Sequence, residues 1–174
     1  VTIDTKNLVV IPPVNAATTG TITDLAPYQV GAGELDPNNV VTSLDFTNEN
    51  EFKLTYNLAL QSDPKKKWGG AILSFSSTRP DLSAGSELVF GVQGSGSLRV
   101  SVSDDVPDPA NPVNSDGTTR YRSVTLLFQN IDAAHPFIHV TKDDLLAALS
   151  TFHTDQITSV SFVVDDKTGP ATGT

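Results

Sequence analysis

Hydrophobic and polar residues alternate with period two along much of this chain, in short runs separated by Gly, Pro, Asn, Asp and Ser. From Glu51 to Leu60, Phe52, Leu54, Tyr56, Leu58 and Leu60 fall on one face, and Lys53, Thr55, Asn57 and Ala59 on the other. Such alternation sets one side against a core and the other against water or ligand. The apolar series Ala71-Leu73-Phe75, Leu88-Phe90-Val92, Leu98-Val100-Val102, Val124-Leu126-Phe128 and Val160-Phe162-Val164 repeat it. Gln93, Arg99, Ser101, Ser103, Tyr121, Ser123, Thr125 and Ser161 stand opposite those series. Asn7 to Ile11 and Val40 to Phe46 read as further strands, the first stopped by Pro12 and Pro13, which cannot donate to a ladder. Asn15 to Gly33 reads as a long loop around a short strand near Tyr28.

One helix is expected near residues 142–151. Thr141 can cap it, Asp143 and Asp144 sit in the first turn where the helix dipole favours negative charge, and Leu145, Leu146 and Leu149 form its apolar face. Gln61 to Lys67 and Asp104 to Thr119 read as loops, the latter with the turn signal Asp116-Gly117. Gly91, Gly94 and Gly96 read as hairpin glycines, because no helix follows them as a phosphate loop requires. Many short strands with turn punctuation and one late helix predict an all-β fold, a two-sheet antiparallel β-sandwich. The expected organisation is one domain over 1–174, with 1–11 as a closing strand, 12–39 as a loop-rich lead-in and 40–174 as the main sandwich.

Composition narrows the function classes. At 174 residues the chain can bury a core without covalent staples. Its 11 Lys and Arg against 20 Asp and Glu leave a net charge of −9, which disfavours nucleic acid and anionic membrane surfaces as partners. With no cysteine, disulfides, thiolate metal sites and thiol catalysis are excluded. No apolar stretch reaches the roughly 20 residues that span a bilayer as a helix. The absence of methionine, the initiator included, points to a processed or excised piece from which any signal peptide is gone.

Trp68-Gly69-Gly70 opens a strand, Asp81-Leu82-Ser83 precedes the run Glu87 to Val92, Leu98 to Asp104 follows, and Ile157 to Val164 closes the series. In order and spacing, over roughly residues 40–174, this resembles the jelly-roll carbohydrate-binding modules of bacterial polysaccharide-degrading enzymes. The resemblance implies a two-sheet jelly roll, a non-catalytic glycan-binding role in an extracellular protein, and often a structural calcium ion. In such modules a Gly-Thr turn leads into a last strand with the form hydrophobic-x-Ile-Asp. Here Gly173-Thr174 stands at one end and Val1-Thr2-Ile3-Asp4 at the other. The chain therefore reads as cut or permuted relative to the usual module. Residues 1–11 then supply the closing strand of the same copy, or complete a neighbouring copy in head-to-tail strand exchange.

Glycan binders stack aromatic faces on sugar rings and bond the hydroxyls with polar side chains. Trp68, the single tryptophan, is the first stacking candidate, against an alternative role at the core edge. Tyr121, Arg99, Gln93 and Asn57 lie opposite their core series and can line one concave sheet, or merely a solvated face. Sparse aromatics on these faces speak against a flat crystalline polymer and for a soluble or amorphous polysaccharide or oligosaccharide. Calcium needs six to eight oxygens. One acidic set is Asp104, Asp105, Asp108 and Asp116, with Asn111 and Asn114, but it lacks EF-hand spacing. The family pattern adds Asp4 and Asp45. Catalytic signals are weak: Pro136 lies between His135 and His139, and no Gly-x-Ser-x-Gly elbow occurs. The alternative to a sugar binder is a structural or assembly domain of a surface scaffold, adhesin or fibre.

Overall fold

The computed structural model describes residues 2–11, 30–48, 51–75, 78–93, 96–131, 137–165 and 172–173. The elements in chain order are β1 (Thr2–Ile11), β2 (Val30–Leu35), β3 (Val41–Asn48), β4 (Glu51–Asn57), β5 (Trp68–Phe75), β6 (Glu87–Gln93), β7 (Gly96–Pro107), β8 (Tyr121–Ile131), β9 (Phe137–Thr141), α1 (Lys142–Ala148), β10 (Ser159–Asp165) and β11 (Thr172–Gly173). They form two antiparallel sheets. One has six strands in the order β11-β4-β1-β6-β9, with β3 also on β4, and the other has five in the order β2-β5-β10-β7-β8.

The inward series packs one shared core. Leu54, Leu88, Phe90 and Val140 from the six-stranded sheet meet Leu73, Val100, Val160 and Phe162 from the five-stranded sheet in a single buried cluster. Phe90 and Phe162 meet across it edge to face, ring centres 4.9 Å apart at 84°, a geometry the ring quadrupoles favour. Tight packing also explains two glycines. A Cβ on Gly70 would lie 2.0 Å from the carbonyl oxygen of Phe162, and one on Gly69 would lie 2.7 Å from Val40 Cγ2.

Several expectations shift. β1 begins at Thr2 and lies between β4 and β6 of its own chain. Part of the 12–39 lead-in is strand β2, paired along β5, while the strand expected near Tyr28 falls outside the described residues. β9 was not foreseen; it pairs with β6 and alternates buried Ile138 and Val140 with exposed Phe137 and His139. The helix is shorter than expected, seven residues, because Leu149 already turns to extended backbone (φ −151°, ψ 101°). Thr141 caps it as read, and within a full capping box: the Thr141 side chain accepts from Asp144 N–H, and the Asp144 carboxylate accepts from Thr141 N–H at 2.9 Å. β6 and β7 belong to different sheets, so they are not the arms of one hairpin: Gly91 lies within β6, Gly96 opens β7, and Gly94 lies outside the described residues.

β4 carries two separate segments on one of its edges. Along one of its edges Thr2, Ile3 and Asp4 face Lys53, Phe52 and Glu51, and Thr172 and Gly173 face Asn57 and Tyr56. Both segments run antiparallel to β4, so they point the same way along one line. The two β4 positions between them are Leu54 and Thr55.

Candidate functional site: a hydroxyl-lined groove on the five-stranded sheet

The outer face of the five-stranded sheet follows from period-two geometry. With Ala71, Leu73 and Phe75 turned inward on β5, Trp68, Ile72 and Ser74 turn outward. The register then lines up neighbours. One row across β5, β10, β7 and β8 is Ser74, Ser159, Ser103 and Ser123; the next is Ile72, Ser161, Ser101 and Thr125. Seven of these eight side chains carry hydroxyls, and Ser101 Oγ and Thr125 Oγ1 are 2.8 Å apart. A third row holds Gly70, Val163, Arg99 and Leu127, and beyond it Trp68 pairs with Asp165.

These rows floor a groove of about 1220 Å³, with Trp68 and Tyr121 both in its lining. The two aromatics stand eight residue positions apart along the strands, roughly 27 Å at about 3.4 Å per residue. Beside Trp68 the wall is the turn Pro64–Lys66, capped by Asp63, whose carboxylate accepts from Lys65 N–H at 2.9 Å. Asn38 Nδ2 donates to the Trp68 carbonyl at 2.9 Å and ties that strand end to the turn after β2. At the far end the wall is the 108–119 excursion. Arg120 N–H donates to the Pro112 carbonyl at 2.9 Å, and Gly117 N–H to the Asn114 carbonyl at 3.0 Å. Gly117 has φ 84°, a conformation that suits glycine. This excursion presents Asn111 and Asn114 to the groove.

Arg99 crosses the floor toward Asp165. Its Nε lies 2.8 Å from Oδ2, and that buried N–H has no hydrogen-bond acceptor in line among the described residues. No histidine lines the groove among the described residues, so its hydroxyls have no imidazole beside them.

Three of the expected binding residues, Trp68, Tyr121 and Arg99, meet here. Asn57 and Gln93 do not: both lie in the six-stranded sheet. Asn57 caps the turn after β4, its side chain accepting from Ala59 N–H at 3.0 Å, and the side chain of Gln93 is outside the described residues. The serine and threonine rows were visible as outward positions, but only strand order brings them side by side.

The acidic candidates are placed apart. Asp104 and Asp105 belong to β7 and not to a loop. Asp104 follows the inward parity of Val100 and Val102 and is fully buried. Its carboxylate accepts from Arg122 Nε at 2.8 Å and Nη2 at 2.6 Å, from His153 N–H at 2.9 Å and from Val106 N–H at 3.0 Å. Burial alone would raise its pKa, but the bonds from Arg122, His153 and Val106 outweigh burial and hold it below the usual carboxylate range. Asp105 meets His153 Nδ1 at 2.8 Å, and Asp108 accepts from Ala110 N–H at 2.9 Å. Asp116 bonds the Thr118 hydroxyl and N–H, and these bonds lower its pKa. Each carboxylate thus has protein donors of its own, and no group of three or more His, Asp or Glu poised for a metal occurs among the described residues. The side chains of Asp4 and Asp45, and His135, lie outside them.

Among the described residues no helix is long and apolar enough to cross a membrane. Compared with protein-family models, curated proteins and solved structures, the chain matches none. The chemistry of the groove therefore has to carry the functional reading.

Proposed function

We propose that the chain is a non-catalytic carbohydrate-binding module of an extracellular protein, with the groove on the five-stranded sheet as its site. The observation that carries this reading is the combination of two half-buried aromatics, Trp68 and Tyr121, with a floor of Ser and Thr hydroxyls between them. A sugar has apolar ring faces and a rim of hydroxyls. Aromatic rings suit the faces, and Ser, Thr and Asn side chains donate to and accept from the rim. At about 1220 Å³ the groove exceeds the size of a drug-like pocket and accommodates a stretch of several sugar residues. Its concave, hydroxyl-rich floor suits a soluble or amorphous chain better than a flat crystal face.

Titration of the intrinsic fluorescence of Trp68 with soluble polysaccharides tests this, since the single tryptophan reports from one end of the groove. A saturable shift that Trp68→Ala abolishes in a parallel calorimetric titration supports the site. No binding to any polysaccharide by either method sinks it.

A further inference from the structure

Charge is sorted unevenly over this molecule. Cations are the minority, 11 against 20, yet among the described residues five of the six charged side chains lining the groove are cationic: Lys65, Lys67, Arg79, Arg99 and Arg120 against Asp165. Resting on the glycan-binding reading, we propose that the ligand of the groove is an acidic polysaccharide, whose carboxylate or sulfate groups these five cations meet while its sugar rings lie along the aromatics and hydroxyls.

The cations stand toward the two ends of the groove. Lys65 and Lys67 flank Trp68, Arg99 stands one row in from Trp68 and reaches to Asp165 in the Trp68 row, and Arg79 and Arg120 stand at the Tyr121 end. A polymer with charges on its sugars would meet cations at both ends of the groove. Arg79 and Arg120 each have a carboxylate behind them, Asp105 at 3.6 Å and Asp108 at 3.5 Å. Neither acid lines the groove, and both contacts are long enough to orient a guanidinium without a close bond, Arg79 Nη1 donating instead to Gln156 Oε1 at 3.1 Å. With those two acids counted, the groove still carries a surplus of two positive charges on a chain of net charge −9. Screening makes the local balance the one that matters. The Debye length is about 8 Å at physiological ionic strength, so an anion seated here is largely shielded from acids on the far sheet. A cleft lined by one sign also concentrates ligands of the other.

The test uses calorimetry and Trp68 fluorescence with four probes: polygalacturonate (carboxylated), dextran sulfate (sulfated), neutral dextran and neutral xylan. The expected result is saturable binding to one or both acidic polymers, weakened at least tenfold between about 0.05 and 0.5 M NaCl. Binding to the carboxylated probe alone, or to the sulfated probe alone, identifies which acid group the cations take. Lys65→Ala/Lys67→Ala, on side chains outside the core, should lose about tenfold in affinity for the acidic probe with an unchanged melting temperature. Equal or tighter binding of a neutral polymer, indifferent to salt and to the double substitution, overturns this inference but leaves the glycan reading standing. Binding to none of the four, with the fold intact, overturns both. Oligodeoxythymidylate bound as tightly as the acidic glycan also overturns it, because the groove would then read charge without sugar.

Discussion

Removing the carboxylate of Asp104 should unfold this protein more readily than any other single polar change among the described residues. Asp104 is fully buried, and four donors converge on it: two from Arg122 and the main-chain N–H groups of His153 and Val106. Asp104→Ala leaves Arg122, whose side chain is only 16% exposed, without its counter-ion. It also strands two main-chain donors. Breaking one side of a buried ion pair costs about 3–5 kcal/mol. With a urea m-value of about 2 kcal/mol/M, that lowers the unfolding midpoint by roughly 1.5–2.5 M. The assay is equilibrium urea unfolding followed by Trp68 fluorescence and far-UV circular dichroism. A second variant, Asp104→Ala/Arg122→Met, should recover part of the loss, because the orphaned charge is gone while the stranded N–H groups remain. The pH dependence carries its own sign. The folded-state pKa of Asp104 lies below its unfolded value, so its contribution is complete above the ordinary carboxylate range, about 3.9, and is lost as pH falls through the lower folded value. The gap between wild type and Asp104→Asn should therefore close only at strongly acid pH. A midpoint shift under about 0.5 M for Asp104→Ala, or a gap that closes already at pH 5, refutes the assignment of Asp104 as the hub of this cluster.

Gly70→Ala forces a methyl into a space where Cβ would sit 2.0 Å from the Phe162 carbonyl oxygen. A loss of about 1–3 kcal/mol or more should appear in thermal melts, and a neutral result would contradict the β5–β10 register. Phe162→Ala removes one half of the cross-sheet ring pair and should cost about 3–5 kcal/mol in urea unfolding; a cost near 1 kcal/mol would mean the sheets are not joined there. Because Asp104, Asp105, Asp108 and Asp116 all bond protein donors, 5 mM EDTA (roughly chelator excess) should leave the melting temperature within about 1 °C of its value in calcium; a drop of several degrees would reveal a bound ion that stabilises the folded state.

Faces were easier to read from the sequence than sheets were. Alternation correctly set Leu98, Val100 and Val102 against Arg99, Ser101 and Ser103, since the pleat alone decides which side a residue takes. Nothing in that pattern says which strands are neighbours. Asn57 and Gln93 thus shared a class with Arg99 and Tyr121 although they sit in the other sheet. β2 escaped notice because Val30–Leu35 contains two glycines and pairs at the edge of its sheet, where propensity is a weak guide. β9 was overshadowed by the spacing of His135 and His139 around Pro136. The buried acid was legible in principle: carrying the period of β7 two residues past Val102 puts Asp104 inside, and carrying that of β8 back from Val124 gives Arg122 to meet it.

The line of β1 and β11 along β4 lets two separate segments occupy the place of one strand. Gly173 faces Tyr56 and Thr2 faces Lys53, leaving Leu54 and Thr55 between. Counted through a joined chain, two residues, Thr174 and Val1, would also lie between Gly173 and Thr2. A backbone joined from Gly173 to Thr2 through two residues would thus keep both segments in register along β4. A new opening could then be cut at Asp116-Gly117, in an exposed turn that holds no core residue. The chain would then begin at Gly117 and run through β8 first, with both sheets keeping the same strand neighbours while the excursion that walls the groove lay open.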